Sequence, residues 1–111
     1  EPTTSEDSED GIPIIDVQLG GDGAQSIQMT TYNFSFSPKV INASQGERIE
    51  LVFTKNEGFH TFKLDVNRIE QVIEEGNKLL FTAPSEPGEY PFYCSVGSHK
   101  SLGMKGTLIV K

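Results

Sequence analysis

The feature that most constrains the fold is a series of short runs rich in Ile, Val, Phe, Tyr and Thr, separated by turn residues. Three of the separating turns are GGDG, SQG and EPG, at residues 20–23, 44–46 and 86–88. Within residues 49–54 the polarity alternates, so that Ile49, Leu51 and Phe53 lie on one face of a strand. Such a strand buries one face against a second sheet, and the pattern therefore predicts an all-β sandwich.

The same alternation predicts strands near 12–18, 27–36, 39–43, 60–65, 78–82, 88–94 and 105–110. Pro91 cannot donate a hydrogen bond to a ladder, so we expect an edge strand or a bulge at that residue. Residues 67–75 depart from the β pattern, because Ile69, Val72 and Ile73 fall at helical spacing. A short helix or an irregular excursion is predicted there.

Length and charge predict one folded domain with a polar tail. The chain has 111 residues and a net charge of −7, and five of its acidic groups lie in residues 1–10. We expect residues 1–11 to be a disordered acidic tail or linker and residues 12–111 to form one domain. The remaining residues carry 9 basic and 11 acidic groups, and this balance argues against nucleic-acid binding. No apolar stretch reaches the roughly 20 residues that a membrane span requires.

The residues that carry chemistry are a thiol, an imidazole and a thioether at five-residue intervals: Cys94, His99 and Met104. Soft sulfur together with imidazole suits copper in a His₂Cys arrangement with a weak axial Met. The second imidazole has to come from His60, because the chain contains two His. Taken singly, each residue also has an ordinary interpretation as core packing, and Met29 is interpreted as packing or as a surface residue.

Strand phase supports bringing these four side chains together. His60 shares a strand face with Phe62, and Cys94 shares one with Phe92. Met104 is likewise in phase with the apolar residues of the last strand, so that three of the four point inward from strand ends. His99 alone lies on a connecting loop. We therefore expect a site at one pole of the sandwich, with rigid strands beneath it.

Several motifs together resemble the cupredoxins over residues 27–111. They are FSFSP, QGE, NEGFH, APSEPGEY, YC and GMKG, at residues 34–38, 45–47, 56–60, 83–90, 93–94 and 103–106. The Cys-x₄-His-x₄-Met spacing is closer to that of auracyanins and rusticyanins than to that of plastocyanins. The resemblance implies a Greek-key sandwich of about eight strands and one type 1 copper ion held by His60, Cys94, His99 and Met104. It also implies one-electron transfer by Cu(I)/Cu(II) cycling, without enzymatic activity.

Residues around the proposed ligands are expected to support them or to dock partners. Thr61 occupies the position where many cupredoxins have an Asn that braces the Cys loop, and Phe59 lies on the other side of His60. Phe59, Val96, Leu102 and Gly103 would form an apolar docking surface around the edge of His99. The partners are expected to be transient redox donors and acceptors of a monomer outside the cytoplasm, with a possible membrane tether through the N-terminal segment.

Two other functions remain open from the sequence. A red-copper catalyst would have an open coordination position in place of the Met104 ligand. A metal-free β-sandwich binding module would bind no copper at all. Multicopper chemistry is excluded by the lack of further His residues, and a dinuclear copper site by the lack of a second Cys.

Overall fold

The computed structural model describes residues 24–111. These residues form nine strands and one 3₁₀ turn, Asp65–Asn67, between the fifth and sixth strands. The strands are β1 (Gln25–Tyr32), β2 (Ser35–Ser37), β3 (Val40–Ala43), β4 (Arg48–Asn56), β5 (Thr61–Leu64), β6 (Ile69–Val72), β7 (Lys78–Thr82), β8 (Gly88–Tyr93) and β9 (Lys105–Val110).

The strands form two sheets that pack face to face. One sheet has the order β2-β1-β4-β7 and the other the order β3-β9-β8-β5-β6. The β1–β4 and β3–β9 pairs are parallel, so the chain crosses between the sheets. Phe36 and Phe53 of the first sheet pack against Phe62 of the second, with ring centroids 6.1 and 6.3 Å apart. The predicted all-β Greek-key sandwich is confirmed.

The alternation of apolar and polar residues along the strands explains which side chains form the core. Ile49, Leu51 and Phe53 of β4 are fully buried, as the period-2 pattern predicts. Met29 is buried in the same core and acts as packing. Six of the predicted strands in the described part of the chain have bounds within two residues of the observed ones. The predicted strand at 12–18 and the predicted tail at 1–11 lie outside the described residues.

The segment 27–36, predicted as one strand, is two. β1 ends at Tyr32 and β2 begins at Ser35, and these two residues are register partners across a tight turn at Asn33 and Phe34. Alternation continues through this turn, and the sequence pattern therefore did not reveal it.

Residues 67–75, predicted to form a short helix or an irregular excursion, instead include a strand. The chain makes one 3₁₀ turn and then forms β6, which pairs antiparallel with β5 from Leu64↔Ile69 to Thr61↔Val72. In the strand, Ile69 and Val72 point to opposite faces and Val72 is exposed, so the three-residue spacing does not mark a shared apolar face. The free edge of β5 supplies the hydrogen-bond partners that favour a strand.

The expectation of an edge at Pro91 is wrong for the strand as a whole. β8 lies between β9 and β5. The β5 register, however, reaches only Phe92 and Tyr93, so that at Pro91 the strand is paired with β9 alone. A central strand tolerates Pro at this position because no ladder bond to β5 is required of it. Within residues 24–111, no helix has the length and apolar character needed to cross a bilayer.

Candidate metal centre

Two adjacent strands bring His60 and Cys94 to the same end of the sandwich. His60 directly precedes β5 and Cys94 directly follows β8. The strands are antiparallel, with Lys63 opposite Tyr93. The start of one strand therefore meets the end of the other, and both side chains are fully buried there, as strand phase predicted.

The loop after Cys94 returns to the same place through its own backbone hydrogen bonds. The N–H of Cys94 donates to the carbonyl of Met104 over 3.1 Å, which extends the β8–β9 pairing by one residue pair. The N–H of Met104 donates to the carbonyl of His99 over 3.0 Å, and that of His99 to the carbonyl of Val96 over 3.0 Å. The loop is thus a closed set of turns, with Met104 buried beneath it and His99 half-buried at its outer side.

Three potential donor atoms converge at this pole. Cys94 Sγ lies 3.8 Å from His60 Nδ1 and 3.5 Å from His99 Nδ1, and the two Nδ1 atoms are 3.2 Å apart. Among the described residues these three form a group whose ligand atoms all lie within 4.8 Å of one another. The structure therefore brings three of the four sequence-predicted ligands together.

The hydrogen bonding of His60 leaves its Nδ1 free to act as a ligand. Its Nε2 lies 2.6 Å from the backbone carbonyl of Glu57, which can only accept, so Nε2 carries the proton. Burial lowers the pKa of His60 below its usual value, and the nearby His99 acts in the same direction, while the Glu57 hydrogen bond opposes them. A neutral imidazole with the Nδ1 lone pair facing Cys94 is the form that binds metals.

These distances fit a metal ion. Bonds of about 2.0–2.3 Å to nitrogen and sulfur, arranged around one ion, separate neighbouring donor atoms by roughly 3.3–3.8 Å. The observed sulfur–nitrogen separations of 3.5 and 3.8 Å lie within that range, and the nitrogen–nitrogen separation of 3.2 Å lies just below it. The donor set of one thiol and two imidazoles is the soft combination that favours copper over calcium or magnesium.

Thr61 also contacts the thiol. Its backbone N–H donates to Cys94 Sγ over 3.5 Å, and its Oγ1 lies 3.9 Å from the same sulfur. The N–H of Ser95 donates to Thr61 Oγ1 over 2.8 Å. The threonine hydroxyl therefore braces the first residue of the loop after Cys94, in the manner expected of the residue that follows His60.

Exposed residues lie in the segments that carry His60 and His99: Phe59 directly precedes His60, and the N–H of Leu102 donates to the carbonyl of His99 over 3.1 Å. Phe59 is 63% exposed and Leu102 is 56% exposed, and Gly103 is exposed beside Leu102. Val96, also predicted for this surface, is half-buried and packs against the core.

Sequence reasoning missed one residue here. The ring of Phe34 lies over His99, with a centroid separation of 4.7 Å. No local pattern reveals this contact, because it depends on the β1–β2 turn, which belongs to the opposite sheet.

The fold and the site together define a class: a β-sandwich protein with a buried His-Cys-His centre at one pole. Comparison with known families gives the same answer, since the Cupredoxin-like domain family matches residues 17–110. The chain belongs to the cupredoxin family. A plastocyanin from Dryopteris crassirhizoma is 36% identical over 95 residues, covering 71% of this chain and 90% of the relative.

Solved structures agree. The oxidised form of the Dryopteris crassirhizoma plastocyanin matches with a TM-score of 0.57 and 30% identity, covering 77% of this chain and 100% of that chain. Auracyanin A, a blue copper protein from Chloroflexus aurantiacus, matches with a TM-score of 0.62, covering 80% of this chain and 100% of that chain. At 22% identity the second likeness supports the fold alone.

Proposed function

We propose that this protein binds one copper ion in a type 1 site and carries single electrons between redox proteins. The observation that carries the proposal is the convergence of one buried thiol and two imidazole Nδ1 atoms within 4.8 Å at the end of the sandwich. Membership of the cupredoxin family supports it, because both the plastocyanin and the auracyanin relatives are similar in fold.

His60, Cys94 and His99 would hold the ion, and Met104 would supply a weak fourth ligand. Met104 is the first residue before β9, is fully buried, and is joined by backbone hydrogen bonds to both Cys94 and His99. Its thioether is the soft axial donor that such a site uses. When bound, copper supplies one-electron chemistry by alternating between Cu(I) and Cu(II).

The protein's part is to hold its donor atoms still. Cu(I) and Cu(II) prefer different arrangements, so a carrier exchanges electrons faster when its ligands need not move. The Glu57 carbonyl fixes the His60 ring, the Cys94–Met104 backbone pair closes the loop, and Thr61 braces the residue after the thiol. Burial of Cys94 and Met104 also keeps water away from the sulfur atoms.

His99 is the proposed point of electron exit. It is the half-buried member of the set, and Phe34, Phe59 and Leu102 provide exposed apolar surface. An apolar patch of this kind suits brief docking of a redox partner, with contact close to the ion and no deep interlocking. We propose a monomeric carrier, without enzymatic activity, that works outside the cytoplasm.

The test is to add Cu(II) to the purified protein and record visible and electron spin resonance spectra. A thiolate-to-copper band in the visible region and a type 1 resonance are expected at one equivalent of copper. A red-copper catalyst would give a different spectrum and an exchangeable water on the metal. Absence of any visible band would leave a metal-free binding module and contradict the proposal.

The matched variants are Cys94→Ser and Ser101→Ala. Cys94→Ser replaces the thiolate with a hydroxyl of similar size and should abolish the band, because the band arises from the sulfur–copper bond. Ser101→Ala removes an exposed hydroxyl whose one hydrogen bond among the described residues is to the carbonyl of Ser98 in the same loop, and should leave the band intact. A blue band retained in Cys94→Ser would exclude this ligand assignment.

A further inference from the structure

A chain of hydroxyl groups leads from the thiol to a carboxylate on the outer face of the sheet. Cys94 Sγ lies 3.9 Å from Thr61 Oγ1, which lies 2.7 Å from Ser95 Oγ, which in turn lies 2.6 Å from Glu70 Oε2. Thr61 belongs to β5 and Glu70 to β6, and Cys94 and Ser95 directly follow β8. This series of contacts therefore exists only because β8, β5 and β6 are neighbours in the sheet.

The carboxylate decides which way the protons in this chain point. An ionised carboxylate only accepts, so the hydroxyl of Ser95 donates to Glu70. Ser95 has one hydroxyl proton and cannot also donate to Thr61. The 2.7 Å contact between the two hydroxyls therefore has Thr61 as donor and Ser95 as acceptor. The single hydroxyl proton of Thr61 is then directed away from Cys94.

Lys63 holds Glu70 in this arrangement. Its Nζ lies 3.9 Å from Glu70 Oε1, so the ammonium faces one carboxylate oxygen while the other accepts from Ser95. Lys63 is also 3.4 Å from Asp65 Oδ1, and that carboxylate accepts from the hydroxyl of Tyr93 instead. Of the two acidic groups beside Lys63, only Glu70 is connected to Thr61 among the described hydrogen bonds.

We propose that Glu70 is a positioning residue for the metal centre: it orients the Ser95 and Thr61 hydroxyls so that Cys94 Sγ receives no hydroxyl hydrogen bond. The inference depends on the proposed copper function and extends it to a residue on the surface. If Glu70 is removed, the Ser95 hydroxyl becomes free to donate to Thr61, and the Thr61 proton turns toward the sulfur 3.9 Å away.

The effect falls on the reduction potential. A hydrogen bond donated to the sulfur withdraws electron density from it, weakens its support of Cu(II) and raises the potential. Glu70 therefore keeps the reduction potential low. The same ligands would have a higher potential if the Thr61 hydroxyl donated its hydrogen bond to Cys94 Sγ. Because Glu70 is 54% exposed, a partner or cation that binds this carboxylate would change the potential without touching the ligands.

The test is a double-variant cycle on the copper protein. Glu70→Leu should raise the potential, and Ser95→Ala should raise it too, without any change of charge, because Thr61 then also loses its acceptor. In a Thr61→Val background, which has no hydroxyl to turn, Glu70→Leu should produce a much smaller shift. Asp65→Asn removes one negative charge from the other carboxylate beside Lys63. Its shift measures how much the loss of a nearby charge alone changes the reduction potential, and added salt should reduce this electrostatic part.

Two results would overturn the inference. One is a Glu70→Leu change in reduction potential that equals the change in Asp65→Asn and is the same in the Thr61→Val background. That result would mean that Glu70 acts only through its negative charge. The other is a Ser95→Ala protein with the wild-type potential.

Metal-free protein provides a separate readout. In proton NMR spectra, the Thr61 hydroxyl should show a nuclear Overhauser contact to the Ser95 β-protons in the wild type and to the Cys94 β-protons in Glu70→Leu. The same contact in both proteins would contradict the inference even if no copper bound. A wild type without a blue band would instead contradict the copper function, so the two failures are distinguishable.

Discussion

At the scale of single residues, the centre depends on small details around His60. Gly58 has φ +93°, a conformation that side chains rarely adopt, and lies in the turn that delivers His60 to β5. A Cβ on this glycine would lie 2.5 Å from Asn33 Oδ1 and 2.9 Å from His60 Nε2. The glycine therefore permits both the turn and the close approach of the imidazole to the Glu57 carbonyl.

Gly58→Ala should reduce the free energy of unfolding of the metal-free protein by about 2–4 kcal/mol, since strain and steric overlap add. It should also weaken copper binding, because the overlap displaces His60.

Gly76→Ala is the matched control: its φ is +89°, but nothing lies within 4 Å of the added Cβ. It should cost only the backbone strain, about 1–2 kcal/mol, and leave copper affinity unchanged. Urea unfolding and a chelator competition measure the two quantities. Equal effects of the two substitutions on copper affinity would show that the approach to His60 is unimportant.

Met104 is the second residue whose chemistry can be tested singly. Met104→Gln should lower the reduction potential while copper stays bound, because an amide oxygen is a harder donor than a thioether and favours Cu(II). Met29→Leu is a control, since it removes a buried thioether from β1 at nearly constant volume. Voltammetry of both proteins measures the reduction potentials. A wild-type potential in Met104→Gln would show that Met104 only packs in the core and is not a copper ligand.

At the scale of elements, the pairing of β8 with β9 holds the ligand loop. The two strands pair from Gly88↔Val110 to Tyr93↔Lys105, and the loop carrying His99 closes this hairpin. Gly106 lies opposite Phe92 in the register. A Cβ on Gly106 would meet the ring of Phe92 and the carbonyl of Lys39, so β9 approaches both neighbours more closely here than a side chain allows.

Gly106→Ala should lower the free energy of unfolding by about 1–3 kcal/mol, the usual cost of overpacking, and should disturb the spectrum because the strand leads directly to Met104. Gly88→Ala, at the far end of the same hairpin, places its Cβ no closer than 3.4 Å to Tyr90 and should be nearly neutral. Thermal unfolding of both variants, with and without copper, measures the difference. A Gly106→Ala protein as stable as the Gly88→Ala protein would show that the hairpin can relax.

At the scale of the whole molecule, the two sheets have different tasks. The five-stranded sheet carries the proposed ligands, at the start of β5, the end of β8 and the start of β9. The four-stranded sheet covers the site from the other side, where the turn between β1 and β2 places Phe34 over His99. The proposed docking surface, with exposed Phe59 and Leu102, would therefore also include Phe34 from the β1–β2 turn.

Leu102→Lys should slow electron exchange with a redox partner roughly tenfold or more, because docking would bury a charge in an apolar contact. Val66→Lys makes the same change at an exposed apolar residue in the 3₁₀ turn beyond the other end of β5 and should leave the rate unchanged. Stopped-flow exchange with a small redox protein, at several salt concentrations, separates apolar docking from simple charge effects. Identical rates for Leu102→Lys and wild type would discard this surface.

The sequence by itself determined which residues could bind a metal and which of them face inward. Cys94, His99 and Met104 are close in the chain, and the period of two in a strand fixes the inward direction of His60 and Cys94 without further information. The same local rule gave the strands of the sandwich. It failed at residues 67–75, where Ile69, Val72 and Ile73 fall at helical spacing but the segment pairs with the open edge of β5 as a strand.

Only the tertiary structure decided the surroundings of the site. The Glu57 carbonyl on His60, the ring of Phe34 on His99 and the path from Glu70 to Thr61 all depend on which strands are neighbours and in which register. Register depends on turn geometry and on the partner strand as well as on the pattern of one strand, so the sequence of a single strand does not determine it alone. The proposed ligand set can therefore be inferred from the chain, whereas the groups that orient it become visible only in the fold.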